Sequence, residues 1–432
     1  MTTIIIGAGP AGRIAAAELG KNKEKVILIE KKYIAGTCLN EGCMVICALN
    51  DIAKFLNANE RFQKLGLIKS NIEISYTEIT NKIKKTQEKL RKLEEMENKS
   101  LGNEIIYGEA KITIENNKPI VEVNKQKYTA DKILIATGSR PYLPKIKGIE
   151  NAITSKDILN IKQLPEKLNI IGGGMVAAEI ANIFSTFGVE VHILARDKIL
   201  KQLKPTIREY TIKHLLKKIH IHEKTEAIEI QKDKIITSEG ELNGLTLVAT
   251  GRIPNSEIVK DIVETDEKGN IKTDKTMKTS NPNIYAAGDV TGGIQLTPVA
   301  RKEGIVAGIN ILGKHVEINY NNIPESLTLD MDVSFIRNTN TKEKPVKEFT
   351  EPGIAGPEVF WKLLNDKTGL TSVQFNENNE IIDAFAISPS GVGDTAYIAF
   401  LMNMGIVKED FSKFLELHPS TDTYYKILKF LK

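Results

Sequence analysis

The sequence predicts an α/β protein with two βαβ units, each bearing a glycine-rich loop, followed by a C-terminal α+β domain. One observation is a short β-branched strand that ends in glycines and leads into a helical stretch, at residues 3–30 and again at 168–196. The other is a change after residue 313 to alternating strands and then helices, without a glycine fingerprint. We therefore expect three domains: residues 1–147 with 281–312, residues 148–280, and residues 313–432.

The composition of the 432-residue chain is ordinary for a globular protein, with 41% hydrophobic and 26% charged residues. The net charge of +4 predicts no nucleic-acid partner, because such proteins cluster Lys and Arg on one face. No apolar run reaches the roughly 18 residues of a membrane helix, and the first apolar run breaks at Gly7 without a basic segment before it, unlike a signal peptide. Three cysteines exclude a secreted disulfide framework, so we expect a soluble, cytoplasmic protein.

The first βαβ unit is predicted to bind a dinucleotide. Gly7-x-Gly9-x-x-Gly12 follows a buried strand and precedes a helical stretch over residues 13–19. Glycines at this spacing permit a tight turn, close approach to a pyrophosphate and close helix packing, and the helix N-terminus faces the phosphates. Glu30 ends the next strand, where its carboxylate can accept hydrogen bonds from a ribose diol.

Between the two units the sequence predicts elements without evident chemistry. Thr77–Lys99 is a polar helix candidate, rich in Lys and Glu on a solvated face. Residues 111–123 contain two strand-like runs of a small hairpin, and residues 132–138 form a buried strand that ends in a turn. Proline-bearing stretches at residues 141–148 and 281–283 are the expected crossings between domains.

The second unit repeats the loop as Gly172-x-Gly174-x-x-Ala177, in which alanine still permits close helix packing. Counted from the first glycine, the position equivalent to Glu30 is Ala195. The second unit therefore lacks the carboxylate that would bind a ribose diol.

Positive charge replaces that carboxylate. Arg196 follows directly, and Lys198 and Lys201 are close in sequence. A carboxylate would repel a 2′-phosphate, whereas Arg pairs with it. We therefore predict a preference for NADPH over NADH; the alternative is that Arg196 is a solvated loop residue and selectivity is weak.

Cys38 and Cys43 lie just after the first unit, separated by a turn that allows a disulfide to close. A helix predicted over Met44–Leu56 places Cys43 near a helix N-terminus, where the dipole is expected to lower its pKa. The dinucleotide loop upstream favours a redox pair over two unrelated thiols.

No metal site is predicted. The cysteines have no second Cys or His pair at zinc-ligand spacing. His220 and His222 lie in a strand-like stretch and are expected to form a surface pair.

These motifs resemble those of the FAD-dependent pyridine nucleotide–disulfide oxidoreductases, the family of dihydrolipoamide dehydrogenase, glutathione reductase and mercuric reductase. The resemblance covers nearly the whole chain. The segments that carry it are Gly7–Gly12, Gly36–Cys43, Ala136–Ser139, Gly172–Gly174 with Glu179, Ala249–Asn255, Ala286–Val290, Leu296–Ala300 and His418–Ser420. It implies two Rossmann-like dinucleotide-binding domains, for FAD and NAD(P), and a C-terminal dimerisation domain that makes a homodimer.

The resemblance also implies residue roles. Cys43 would lie against the flavin and form the charge-transfer complex, Cys38 would exchange with substrate, and the partner subunit's His418 would complete the site. The acid that orients this histidine in the family is replaced by Thr423, so Asp422 is its candidate substitute. The predicted cofactor-binding residues are Gly7, Gly9, Pro10, Ala11, Gly12, Glu30, Lys31, Gly36, Thr37, Ala110, Thr137, Gly138, Gly172, Gly174, Met175, Val176, Glu179, Arg196, Lys201, Gly251, Arg252, Gly288, Asp289 and Thr297.

Three positions depart from the family pattern. Cys47 stands where the family has a lysine, which leaves Glu179 without its expected partner. Cys47 is either an inert buried thiol or a third redox thiol. Arg13 replaces an apolar or aromatic residue, and either faces the substrate channel, favouring an anionic disulfide, or is solvated.

The predicted function is electron transfer from a nicotinamide nucleotide through FAD to the Cys38–Cys43 disulfide and on to a substrate disulfide, as in dihydrolipoamide dehydrogenase. One alternative is a glutathione-reductase-like NADPH reductase of a small anionic disulfide. Others are a flavin oxidase or transhydrogenase that does not use the disulfide, and a non-catalytic flavoprotein subunit.

Overall fold

The computed structural model describes residues 1–115, 118–337, 345–353, 361, 364 and 368–405. The α-helices described are α1 (Pro10–Lys21), α2 (Gly36–Asn40), α3 (Cys43–Lys64), α4 (Tyr76–Ser100), α5 (Met175–Thr186), α6 (Pro205–Tyr210), α7 (Thr297–Ile311) and α8 (Gly391–Asn403). A π-helical turn, Thr211–Leu215, extends α6. Short 3-10 helices span Ile149–Asn151, Ser155–Asn160, Glu257–Val259 and Asp289–Thr291.

The strands up to the first domain crossing are β1 (Thr2–Ile6), β2 (Lys25–Glu30), β3 (Glu104–Tyr107), β4 (Lys111–Glu115), β5 (Lys118–Val123), β6 (Gln126–Thr129), β7 (Lys132–Ile135) and β8 (Ser139–Pro141). The next are β9 (Ile153–Thr154), β10 (Lys167–Ile171), β11 (Glu190–Ala195), β12 (His220–Glu223), β13 (Ala227–Ile230), β14 (Lys234–Thr237), β15 (Gly240–Asn243), β16 (Leu245–Val248) and β17 (Arg252–Pro254). The last are β18 (Ile284–Ala286), β19 (Ile323–Leu327), β20 (Asp332–Arg337), β21 (Lys347–Glu351), β22 (Leu370–Phe375) and β23 (Ile381–Ser388).

The first sheet is parallel, with the strand order β18-β7-β1-β2-β3. Its strands are continuous apolar runs because both faces are covered. Helices α1 and α7 pack on one face, and the antiparallel sheet β4-β5-β6 covers the other. A Cβ built at Gly304 of α7 would lie only 2.3 Å from the Ala11 carbonyl oxygen, so α1 and α7 are in backbone contact.

The second sheet is also parallel, with the order β12-β11-β10-β16-β9. Helix α5 packs on one face, and the antiparallel strands β13, β14 and β15 pack on the other. The repeated βαβ pattern of the sequence thus corresponds to two separate parallel sheets, and the predicted α/β fold is confirmed.

Two adjacent strands join the first two sheets. Strand β8 leaves the first sheet and pairs antiparallel with β17, on which the chain returns. Val259, Val263 and Ile271 then pack in the core of the first sheet. The exact domain limits stay predictions, but this packing favours a return near Arg252 rather than at residue 281.

The third sheet is antiparallel, with the order β19-β20-β23-β22-β21, and α8 packs against it. This is the predicted change of architecture after residue 313. Leu49 of α3, Phe184 of α5 and Phe385 of β23 belong to one buried cluster, so α3 is fixed against both later domains. Among the helices of the described residues, none is long and apolar enough to cross a membrane.

Candidate active site

The glycine loop after β1 packs tightly against protein atoms on one side and faces open space on the other. Gly7 has φ +102°, and a Cβ there would lie 2.3 Å from the Ala136 carbonyl oxygen. A Cβ at Gly12 would lie 1.9 Å from the Gly7 oxygen, whereas one at Gly9 would have nothing within 4 Å. The free side borders the N-terminus of α1, which begins at Pro10, so the loop fits the pyrophosphate of a dinucleotide such as FAD.

Glu30 is fixed at the end of β2. It is only 8% exposed, and its two carboxylate oxygens accept backbone N–H groups from Ala8 at 2.9 Å and Lys32 at 2.8 Å. Each oxygen retains a further lone pair for a ribose hydroxyl. Lys31 beside it is exposed.

The cysteine segment packs directly on the glycine loop. The Ala35 N–H donates to the Ala8 carbonyl oxygen at 2.8 Å. A Cβ at Gly36 would lie 2.8 Å from the Gly9 Cα, so no larger residue fits there. Gly36 begins α2, which carries Thr37 and Cys38, and the two cysteines are thereby held next to the dinucleotide loop.

Cys38 and Cys43 are hydrogen-bonded thiols in this structure. Cys38 is half-buried in α2, and Cys43 is exposed as the first residue of α3. The Cys43 Sγ lies 3.6 Å from Oγ1 of Thr297, the first residue of α7. The predicted pair is therefore brought together, at the N-termini of two helices.

The electrostatics of the pair differ from the sequence expectation. The hydrogen bond from Cys43, that from Thr297 and the positive charge of Arg301 lower the pKa of Cys38 to about 6. The same Cys38–Cys43 hydrogen bond raises the pKa of Cys43. In the thiol pair by itself, the lowered pKa is therefore at Cys38 rather than at Cys43, because Cys43 donates to the Cys38 thiolate.

Glu179 of α5 lies near the thiols, and the lysine that pairs with this glutamate in the family is missing here. Burial raises its pKa to about 7, and its Oε1 accepts the Thr328 N–H at 2.9 Å. Lys54, further along α3, pairs instead with Asp332 at 2.9 Å. Cys47 is exposed and its pKa is raised, chiefly by desolvation from the surrounding protein and by the neighbouring Cys43.

Asp289 and Arg252, both predicted to bind a cofactor, lie together. The Ser139 hydroxyl donates to Asp289 Oδ2 at 2.6 Å, and the Arg252 Nε donates to Ser139 Oγ at 2.6 Å. Arg252 Nε is 3.8 Å from Asp289 Oδ2. This group therefore orients Asp289 at the end of the first sheet, directly after Gly288.

Sequence reasoning missed Glu303 of α7. It accepts the Gly288 N–H at 2.6 Å and the Tyr320 hydroxyl at 2.7 Å, and burial raises its pKa to about 7. Glu303 is the single acidic residue of α7, which was the available signal. It holds the turn that presents Asp289.

The remaining predicted FAD-binding residues lie around the first sheet. The Thr137 hydroxyl donates to the Asn255 carbonyl oxygen at 2.7 Å, and the Gly138 carbonyl oxygen accepts the Asn255 N–H at 2.9 Å. Ala110 is buried between β3 and β4, and Ala11 is buried against α7.

The second glycine loop has the same shape as the first. Gly172 has φ +132°, and a Cβ there would lie 2.2 Å from the Ala249 carbonyl oxygen, whereas Gly174 faces open space. Met175 and Val176 begin α5, and Val176 is exposed. Gly251 also faces open space, so the loop fits a second dinucleotide.

The charges after β11 are partly neutralised. Arg196 is exposed directly after the buried Ala195. Lys201 Nζ lies 3.4 Å from Asp197 Oδ2. Of the predicted nucleotide-binding cations Arg196 and Lys201, Lys201 is thus paired with an acid, whereas no acidic partner of Arg196 is seen among the described residues.

Arg13 is not solvated. It is 8% exposed, and its guanidinium pairs with Glu94 and, at 3.4 Å, with Glu97 of α4. The expectation of a solvated Arg13 is wrong, because α4 covers it and supplies its counter-ions, and a place beside a substrate channel stays a prediction.

His418 and Asp422 lie outside the described residues, as do the neighbouring Ser420 and Thr423. Their roles stay predictions.

Comparisons with known proteins agree with this geometry. A family model described as pyridine nucleotide-disulphide oxidoreductase matches residues 1–304. An uncharacterized protein of Methanocaldococcus jannaschii is 33% identical, over 98% of this chain and 96% of the relative. The dihydrolipoyl dehydrogenase of Bacillus subtilis is 28% identical, over 97% of this chain and 93% of the relative.

Two solved structures share the fold. The HOCl-induced flavoprotein disulfide reductase RclA of Escherichia coli has a TM-score of 0.87 and 23% identity, with complete coverage of both chains. LpdA of Mycobacterium tuberculosis has a TM-score of 0.88 and 18% identity, with 99% of both chains covered.

Proposed function

Since the chain belongs to the pyridine nucleotide-disulfide oxidoreductase family of FAD-dependent enzymes, we propose that it reduces a substrate disulfide with its Cys38–Cys43 pair, using electrons from NAD(P)H. The hydrogen bond between the two thiols supports this proposal most directly, because it gives one thiolate and one thiol in the reduced protein.

The proposed cofactor sites follow from the two open glycine loops. Gly9, Glu30 and Asp289 would hold FAD, whereas Gly174 and Arg196 would hold the nicotinamide nucleotide. Bound FAD would supply the chemistry that accepts a hydride and passes two electrons to the disulfide.

The thiol steps balance as an exchange of two electrons. The Cys38 thiolate attacks one sulfur of the substrate disulfide, the substrate S–S bond breaks, and the first substrate thiolate leaves. Cys43 passes its proton to a base that protonates the first substrate thiolate, and it then attacks the Cys38 sulfur, which closes the Cys38–Cys43 disulfide and releases the second substrate thiolate. Each leaving thiolate takes up a proton, for which a histidine such as His418 of the partner subunit has a suitable pKa range.

Two charged residues support finer proposals. Arg196 favours NADPH over NADH, because it is available to pair with a 2′-phosphate. The charge of Arg301 next to Cys38 favours an anionic substrate disulfide, closer to the glutathione-reductase-like alternative than to neutral lipoamide.

We further propose a homodimer formed through the C-terminal domain. Tyr397, Phe400 and Met404 at the end of α8 are exposed, and large apolar side chains in such a group favour a protein interface. A cytoplasmic location fits this function, because thiols are kept reduced there.

An anaerobic absorbance titration of the purified FAD-bound protein with NADPH and, separately, NADH tests the proposal. We expect NADPH to produce a long-wavelength band when Cys43, next to the flavin, has passed its proton to a base, and Arg196→Gln to weaken NADPH binding without weakening NADH binding. Cys38→Ser should abolish reduction of lipoamide, glutathione and coenzyme A disulfides but retain dye reduction. Flavin bleaching without the band, together with disulfide reduction that survives Cys38→Ser, would refute it.

A further inference from the structure

Three histidines stack at the edge of the second sheet. In the parallel register of β11 and β12, His192 lies opposite His220, and Leu194 lies opposite His222. The ring centroid of His192 lies 4.7 Å from that of His220 and 5.2 Å from that of His222, with interplanar angles of 20° and 22°. The expected pair of His220 and His222 does lie at the surface, with His220 exposed and His222 half-buried, and the neighbouring strand adds a third ring. This cluster holds half of the six histidines of the chain.

A carboxylate completes the cluster. Glu190 Oε1 lies 3.0 Å from His192 Nε2, and His192 Nδ1 lies 3.0 Å from His222 Nε2. The potential ligand atoms of Glu190, His192 and His220 all lie within 4.8 Å of one another. Glu190 and His220 are exposed, so an ion can reach them from solvent, whereas His192 is buried and fixed.

We propose that Glu190, His192 and His220 bind a divalent transition-metal ion of the zinc class. Two imidazoles and one carboxylate are a common ligand set for Zn²⁺, and a water molecule completes four-coordination. With bonds of about 2.0–2.2 Å, ligand atoms on one ion lie roughly 3–4 Å apart. The exposed Glu190 and His220 side chains must therefore rotate toward His192, and His220 must leave its stacked position.

His222 orients the ligand without binding the ion. When Nε2 of His192 is the ligand, its Nδ1 carries the proton and donates to His222 Nε2, which fixes the tautomer. Glu239, 4.0 Å from His222, is the nearest acid on that side.

The ion must displace one competing cation. Lys167 Nζ lies 3.0 Å from Glu190 in the structure, and a divalent ion would replace this exposed single charge. The cluster begins at the amino end of β11, while Arg196 follows its carboxyl end. Binding is therefore expected to join β11 to the edge strand β12 without occupying the nucleotide site.

Isothermal titration of the oxidised, chelator-treated FAD-bound protein with ZnCl₂ tests the site. The Cys38–Cys43 disulfide and a Cys47→Ser background remove sulfur ligands. We expect one Zn²⁺ per chain and a higher Tm with Zn²⁺, both lost in His192→Gln and in His220→Ala. His222→Ala should weaken binding by about tenfold.

His315→Ala is the matched control. His315 is exposed and lies 3.8 Å from Glu317. The substitution therefore removes a histidine–carboxylate pair outside the cluster and should leave Zn²⁺ binding unchanged. His220→Ala alters only an exposed side chain, so its fold is expected to persist. Absence of stoichiometric binding, or equal affinity in wild type and both ligand variants, would overturn the proposal.

Discussion

Cys38 and Cys43 differ in protonation because a single hydrogen bond joins them. Cys38 accepts, and the neighbouring Thr297 and Arg301 further stabilise its negative charge. Cys43 donates and keeps its proton. At the scale of residues, Cys38 is thus prepared to attack a disulfide, and Cys43 is prepared to follow it.

We predict that alkylation of Cys38 by iodoacetamide in the reduced protein follows a titration with a midpoint near pH 6. The thiolate reacts, so the rate should rise as pH rises through this value. Cys43→Ala should shift the midpoint upward, because it removes the donor, whereas Cys43→Ser should retain most of the effect. A Cys47→Ser background and mass spectrometry locate the modification, and equal midpoints in all variants would contradict the prediction.

A second prediction concerns Glu179, whose folded-state pKa of about 7 exceeds that of an unfolded glutamate. The protonated form is favoured in the fold, so its contribution to stability is present at low pH and is lost as pH rises through about 7. The Tm of Glu179→Gln relative to wild type should therefore increase from pH 5 to pH 8.

Cys47→Lys provides the complementary change. An ammonium one turn after Cys43 should pair with Glu179, lower its pKa and remove the pH-dependent Tm difference. Glu209→Gln, at an exposed acid, is the control. If Glu179→Gln changes Tm equally at both pH values, Glu179 does not titrate in this range.

At the scale of elements, the site depends on two chain segments in backbone contact. The loop before α1 and the start of α2 touch at Gly9 and Gly36, and α1 touches α7 at Ala11 and Gly304. The cysteines are therefore held next to the dinucleotide loop by backbone packing. Arg13 adds a buried ion pair between α1 and α4.

We predict that two alanine substitutions in the first loop affect different properties, one the stability of the fold and the other FAD binding. Gly12→Ala places a Cβ 1.9 Å from a carbonyl oxygen and should destabilise the protein by about 1–3 kcal/mol or more. Gly9→Ala meets no protein atom within 4 Å, so the fold should persist while FAD binding weakens.

Thermal unfolding and the flavin-to-protein absorbance ratio separate these outcomes. Gly393→Ala, at an open position in α8, should leave the flavin ratio unchanged and should not lower the Tm. Full flavin content in Gly9→Ala would show that the open side of the loop is not the cofactor side.

At the scale of the whole molecule, one buried cluster joins α3 to the second and third domains. The helix that begins at Cys43 is thus fixed by residues far along the sequence, such as Phe184 and Phe385. Relative movement of the domains would be transmitted to the redox pair through this helix.

The proposed dimer gives the prediction at this scale. Phe400 is 60% exposed on α8, so Phe400→Asp should convert the dimer to a monomer without loss of FAD. Light scattering after size exclusion measures the mass. Ile228→Asp, at a residue 55% exposed on β13, should remain dimeric. A monomeric wild type would refute the dimer, and a dimeric Phe400→Asp would place the interface elsewhere.

The sequence alone determined the two parallel sheets, their glycine loops and the cysteine pair. These features follow from local rules: Gly7 and Gly172 require backbone conformations that few other residues adopt, and buried parallel strands are continuous apolar runs. Such signals lie within some 30 residues of chain. They were sufficient for the family resemblance and for the position of Glu30.

Only the tertiary structure decided which charges and rings meet. Arg13 is covered by α4, about 80 residues later, and His192 joins His220 across a strand pair. The pKa order of Cys38 and Cys43 likewise depends on Thr297 and Arg301 of α7. Hydrogen bonds and ion pairs act over a few ångströms in space, and sequence distance does not encode which residues come that close.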